Sequence, residues 1–228
     1  NVHLVVTDKI HVPVWGTYIT TPNVKNDYAT VNVRTRIAGA AKGDKIEVRT
    51  QVLDANGKQV GENNTLHTIN GDQPSIQNIT VSNPKLWTPE TPYLYTVVTR
   101  LLKDGKERDC YSTRIGIRTI EFVPEKGFFL NGKVTKFRGV CNHHDLGPLG
   151  AAVNRSAIRH QLEMLKDMGC NAIRTSHNMP APELVELCDE MGFMMMIEPF
   201  DDWAFRPKCR NGYGSIFAEW AERDMVNM

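Results

Sequence analysis

Three short stretches carry the side chains most able to do chemistry: Cys141-Asn142-His143-His144-Asp145, Arg174-Thr175-Ser176-His177-Asn178 and Glu198-Pro199-Phe200-Asp201-Asp202-Trp203. A neutral imidazole offers one donor and one acceptor, and a carboxylate offers acceptors only, so together they suit a polar pocket. His143 and His144 are neighbours on an extended segment and face opposite ways, so at most one points into a site. Two histidines on adjacent strands beside Asp or Glu could also bind a metal, although no compact ligand spacing of the helical metalloprotease kind occurs. Glu198 directly follows the apolar run Phe193–Ile197, a costly place for a charge unless it is paired or used. Each residue has an ordinary explanation as well. The histidines would be satisfied loop residues, Glu198 a salt-bridge partner of Arg174 or Arg138, and Trp203 part of a core. The run Met194-Met195-Met196 reads as packing.

The elements that must position these groups follow from periodicity. After about Arg118, Phe128 to Val134 suggests a hairpin around Asn131-Gly132, a pair that favours tight hairpin turns. A strand is expected over roughly 136–141, then a helix capped by Asn154 and ended at Gly169, with Ile158, Leu162 and Leu165 along one side. A second strand spans 171–176, and a second helix begins at Pro182, a residue tolerated in a first helical turn. Its stripe Leu184, Leu187, Cys188 and Met191 ends at Gly192. Phe193–Ile197 is apolar on both faces, which implies burial from both sides. A last helix should start near Ser215 and run to Met228. Strand, helix, strand, helix, strand, helix opens either a doubly wound sheet or a (β/α)8 barrel. No Gly-rich phosphate loop follows the first strand, which weakens a nucleotide-binding reading. In a barrel the three polar stretches would all lie at the C-terminal strand ends, where function collects. About three of eight units would be present, so residues 119–228 would be the truncated opening of the barrel.

Residues 1–118 have a period of two instead. Val31, Val33, Thr35 and Ile37 alternate with polar neighbours, as do Ile46, Val48, Thr50 and Val52, and Tyr93, Tyr95, Val97, Thr99 and Leu101. Turns at Asp54-Ala55-Asn56-Gly57, Asn70-Gly71-Asp72 and Asp104-Gly105 separate about seven strands, the pattern of an immunoglobulin-like antiparallel β-sandwich. The opening Asn1–Val6 reads as a strand entered partway, as if the chain began at an internal cut. A net charge of +1 supplies no field to attract nucleic acid or an anionic membrane. No apolar run reaches the roughly 20 residues of a spanning helix. Five widely spaced cysteines, an odd number, argue against a paired disulfide framework and read as free and mostly buried.

The chain resembles glycoside hydrolase family 2. Phe137-Arg138-Gly139-Val140-Cys141-Asn142-His143-His144-Asp145 is similar to that family's first barrel strand, and Asn171-Ala172-Ile173-Arg174-Thr175-Ser176-His177-Asn178 to its second. Asn83 to Tyr95 resembles its central sandwich domain, and Phe128 to Lys133 the hairpin that enters the barrel. His143 to Gly147 with Gly150 to Asn154 is more similar to β-galactosidases than to β-glucuronidases. The resemblance implies a retaining exo-glycosidase acting on terminal β-galactosides. His143, His177, Glu198, Asn142, Asp202 and Trp203 would be substrate-side residues, with Glu198 in a supporting role at the pocket floor. It also implies that the catalytic acid/base belongs to an Asn-Glu pair, which occurs nowhere in these residues, and that the nucleophile follows later. The 228 residues alone would then be inactive. Metal-using β-galactosidases carry Glu and His where this chain has Asp202 and Ala204. A magnesium site is doubtful on that ground, with Asp202 its one conceivable ligand. The implied partner is a carbohydrate. The whole protein would be a homo-oligomer in the bacterial periplasm or cytoplasm, and the 228 residues would self-associate through the open barrel edge. A β-glucuronidase, a β-mannosidase and a non-catalytic interaction module are the competing readings.

Overall fold

The computed structural model describes residues 4–204 and 208–227. They fall into two compact units, Asn1–Thr135 and Lys136–Met228.

In the first unit seven strands form two antiparallel sheets. β1 (Thr17–Val24), β2 (Tyr28–Thr35) and β5 (Ser75–Ser82) make one, in the order β1-β2-β5. β3 (Lys45–Leu53), β4 (Gln59–Thr68), β6 (Tyr95–Lys103) and β7 (Lys106–Ile115) make the other, in the order β4-β3-β6-β7. The alternating rows meet in the core, where Val31, Val33, Ile46, Val48, Val97 and Leu101 are buried. Tight turns join the strands where positive φ is tolerated: Asp104 and Gly105 both have it, and Asp54 Oδ1 accepts from the amides of Asn56 and Lys58. At the start of β6 the Tyr95 hydroxyl accepts from the Lys85 amide at 2.8 Å, a tyrosine corner of the kind immunoglobulin-like sandwiches use. Gly116 lies so close to buried Trp87 that a Cβ there would sit 2.7 Å from the Trp87 side chain. The residues expected to lead in as a strand do not form one. Leu4–Val6 are exposed and without regular structure, since alternation alone gives a strand no partner, and Asn1–His3 lie outside the described residues.

A small antiparallel sheet, β8 (Ile120–Val123), β9 (Gly127–Leu130) and β10 (Lys133–Val134), follows within the same unit. Asn131 and Gly132 turn its hairpin with positive φ. The Asn131 side chain also accepts from the Thr119 amide and donates to the Trp87 carbonyl, tying the hairpin back to the sandwich.

In the second unit β11 (Gly139–Asn142), β12 (Ala172–Thr175) and β13 (Met194–Ile197) are parallel and adjacent in chain order. α1 (Arg155–Asp167) and α2 (Pro182–Met191) connect them and share one apolar cluster with Ile173 and Met195, so both lie on the same face. A doubly wound sheet reverses its strand order and covers both faces; sequential strands with helices on one side are the opening of a barrel. The helix ends follow local chemistry. Asn154 caps α1 by accepting from the Ala157 amide, Pro182 opens α2, and Gly192 closes it in the left-handed conformation. α3 (Phe217–Asn227) starts two residues later than expected.

Two expectations need correction. Phe193 is buried against α2, but Met196 is 60% exposed on the face that the helices leave uncovered, and Ile197, on the helix side at the end of the outer strand β13, is 43% exposed. The five cysteines are free, yet only Cys188 is buried; Cys110, Cys141 and Cys209 are exposed. Cys141 stands on the uncovered face of β11, and Cys110 on the solvent face of the edge strand β7.

Candidate functional site

The parallel register sets the site. Cys141, Arg174 and Met196 are partners across β11, β12 and β13, and side chains alternate between faces along each strand. The row that includes Ile173 and Met195 faces the helices, so Cys141, Arg174, Met196 and Glu198 share the opposite face. On that face Arg174 directs Nε and Nη2 at the same oxygen, Glu198 Oε1, at 2.6 and 2.5 Å. His177 Nδ1 meets the other oxygen, Oε2, at 2.8 Å. The Glu198 amide also donates to Thr175 Oγ1 at 3.0 Å. Burial opposes the charge on Glu198, but the hydrogen bonds from His177 and Arg174 outweigh it and hold the carboxyl below its ordinary range.

Because a carboxylate only accepts, His177 Nδ1 carries the proton in that bond. Arg174 Nη2 lies 3.3 Å from the same nitrogen, and it cannot donate to a nitrogen already protonated. Nε2 is therefore the imidazole atom left for a ligand. The His143 ring stands edge-on to His177, with centroids 5.5 Å apart. His143, His177 and Glu198 thus converge, and Arg174, the ordinary salt-bridge partner anticipated for Glu198, is the group that fixes the arrangement. The Ser176–His177 peptide bond is cis.

An open cleft of about 400 Å³ is lined by His143, His177, Asn178, Phe200, Asp201 and Tyr213, together with Ser176 and Pro199. The other expected residues are placed differently. Asn142 turns to the helix side and lines a separate hollow of about 50 Å³ with Thr175 and Asn178, where its buried Nδ2 has no partner. His144 points away from the cleft and meets the Ala151 carbonyl at 3.2 Å, as the alternation of extended residues requires. Trp203 is half exposed and leans on Phe200 and Phe217, with centroids 5.9 and 5.4 Å away. Asp202 is buried, and its carboxylate accepts from the backbone amides of Trp203, Lys208 and Gly214. These bonds hold its pKa below the ordinary carboxylate range: the largest effect, from the Lys208 amide, lowers it, burial works against this, and the other two amides add to the lowering. Among the described residues no group of three or more His, Cys, Asp and Glu is placed to hold a metal ion.

Tyr213 was not anticipated. Its ring stacks on Phe200 at 4.8 Å and 16°, and its hydroxyl donates to Asp224 at 2.7 Å. Burial first, then that acceptor, pushes its hydroxyl up to about 12. It opens a short 3-10 turn, Tyr213–Ser215, well past the strand end, and only the flanking Gly212 and Gly214 hint that the backbone approaches something closely there.

A sandwich followed by the first strands of a barrel, with a histidine and carboxylate cluster at their C-terminal ends, defines a glycoside hydrolase architecture. The family models of glycosyl hydrolases family 2 and of that family's TIM barrel domain match residues 11–118 and 122–208, and the chain belongs to this family. It is 46% identical over 228 residues to the β-galactosidase BoGH2A of Bacteroides ovatus, covering 99% of the chain and 27% of that protein. It is 39% identical to a putative β-glucuronidase of Formosa agariphila, covering 98% of the chain and 21% of that protein. A solved family 2 member from Bacteroides cellulosilyticus superimposes with a TM-score of 0.90 at 37% identity, over 97% of this chain and 29% of that one. The chain thus spans about a quarter of the length of such relatives.

Proposed function

We propose that the whole protein containing these residues is a retaining exo-glycosidase that removes terminal β-galactosyl groups. The observation that carries this reading is that His143 and His177 meet on one cleft while the Arg174-held Glu198 fixes His177 from outside its lining. His177 Nε2 and the His143 ring would bind sugar hydroxyls. Hydrogen bonds of that kind strengthen as the oxocarbenium-like transition state forms. Glu198 serves as support, since both its oxygens are engaged by protein donors. Phe200 and Tyr213, which line the same cleft, offer apolar rings beside these polar groups, a combination suited to pyranose stacking, and Trp203 packs against Phe200. We also place the sequence boundary between the sandwich and barrel domains at Arg118, a reading supported by family matches that stop at 118 and resume at 122, although the compact units divide later, after Thr135.

No Asn-Glu dipeptide lies within the 228 residues, so we propose that they do not turn over substrate alone. On a chromogenic β-galactoside the whole protein should be active and residues 1–228 should give no more than background. Turnover by residues 1–228 would overthrow the site assignment. β13 has no strand partner on its outer side among the described residues, and exposed Met196 and Ile197 lie beside that edge. Residues 1–228 should therefore self-associate, and a clean monomer by light scattering would count against this.

A β-glucuronidase is the second reading, favoured by the name of the Formosa agariphila relative. Hydrolysis of a β-glucuronide with no action on the β-galactoside would decide for it.

A further inference from the structure

The resemblance to metal-using β-galactosidases puts Asp202 where a cation ligand would stand, yet the residues present do not fit a cation. Oδ1 of Asp202 faces the N–H groups of Trp203 and Lys208 at 3.1 and 3.0 Å, and Oδ2 faces that of Gly214 at 3.0 Å. Amide hydrogens aimed at both oxygens attract an anion and repel a cation. Ala204, two residues on, has no side-chain donor atom. Of the acidic residues just before it, Glu198 is already bound by a guanidinium and an imidazole, and Asp201 is exposed.

The surroundings of the carboxylate are shaped to it. Asp202 is 3% exposed. A Cβ on Gly214 would lie 2.6 Å from the Trp203 carbonyl and 2.9 Å from Asp202 Oδ2, and one on Gly212 would run into the same oxygen. The chain therefore needs glycine on both sides of Tyr213 to bring its backbone onto the carboxylate. Tyr213 is thereby set against Phe200, and this stacked pair forms the aromatic side of the cleft that holds His143 and His177.

We infer that Asp202 is a positioning residue whose carboxylate holds the aromatic wall of the cleft through three backbone amides, with no divalent cation taking part. This deepens the proposed glycosidase reading and rests on it only for the activity measurements below. The wall would meet bound sugar before and during reaction alike, so loosening it should weaken binding more than turnover.

The test uses the whole protein, dialysed against EDTA, with hydrogen exchange read on peptides covering 208–216 and activity read on a chromogenic β-galactoside. EDTA, and then added Mg²⁺ or Mn²⁺, should leave both exchange and kcat/KM within about twofold. Asp202→Asn replaces one acceptor by a donor facing an amide; it should speed exchange in 208–216 by about tenfold or more and raise KM about tenfold with kcat little changed, the scale of one charged hydrogen bond. Gly214→Ala keeps the carboxylate but displaces the backbone from it, and should produce the same pattern. It carries the test if Asp202→Asn does not fold. Faster exchange after EDTA that is reversed by the added ion would overturn the inference, and so would unchanged exchange in the variants. If the β-galactoside is not hydrolysed at all, the glycosidase reading fails while the exchange measurements still decide the role of Asp202.

Discussion

In the sandwich, two sheets turn their alternating apolar rows toward each other, and Val31, Val33, Ile46, Val48 and Leu101 have no solvent exposure. In the parallel sheet, α1 and α2 cover one face, while the other carries Cys141, Arg174, Met196 and Glu198. Both regions obey the same local rules of strand and turn. The difference is what the second face is for. Burying a face against its own kind yields stability that depends on volume, whereas leaving a face for charged groups yields a site whose order depends on hydrogen bonds.

That contrast breaks most visibly under truncation. Leu101→Ala should destabilise residues 1–228 by about 2–5 kcal/mol, the usual loss for a filled core site. Met196→Ala in the same chain should stay within about 0.5 kcal/mol, as for an exposed position. Denaturant unfolding measures both. Equal losses would mean that the uncovered face is a packed core after all.

A smaller effect on stability but a clear one on function is expected at Glu198. Glu198→Gln weakens the fork from Arg174 and removes the charged acceptor that orients His177. The whole protein's kcat/KM on the β-galactoside should fall by about 10–100-fold, the range for one or two hydrogen bonds to a charged group. The pH dependence has a definite sign. A carboxyl whose folded value lies below its ordinary 4.5 contributes stability that is complete above 4.5 and is lost as pH falls through the lower folded value. Glu198→Gln lacks this contribution, so its unfolding midpoint should change less than that of the natural protein as pH is lowered below about 4.5. Parallel acid profiles would show that the Arg174–Glu198–His177 arrangement does not persist in solution.

The two regions also differed in how much of them could be read from residues alone. The sandwich was legible because alternation, Asp-Gly and Asn-Gly turns and strand length are local properties. The same holds for Asn154, Pro182 and Gly192 at the helix ends. The convergence of His143 with His177 and Glu198 was legible because a parallel sheet brings successive strand ends together. What could not be read depends on contacts distant in sequence. Gln77 is buried in the sandwich, donating to the Val48 carbonyl and accepting from Thr50, although alternation marks its position only as inward-facing. Asn142 reads as a site residue from its place in a polar stretch, but strand register turns it to the helix side. Asp202 reads from its place after the third strand as a ligand for substrate or metal, and the bonds it accepts from the Lys208 and Gly214 amides could not be read beforehand.

The smallest effect asks whether the one-sided cover of the parallel sheet can be loosened without touching the sandwich. Asn154 Oδ1 accepts from the Ala157 amide at 3.0 Å and so satisfies one of the open donors at the start of α1. Asn154→Ala should cost about 1 kcal/mol, whereas Asn154→Asp should cost little. α1 contributes Ile158 and Leu162 to the cluster that covers Ile173, so fraying its first turn should speed hydrogen exchange in β12 and leave β3 and β6 unchanged. Faster exchange in all three strands would mean that the two regions open together, and that the contrast between a self-covered and a helix-covered sheet does not describe how this chain is stabilised.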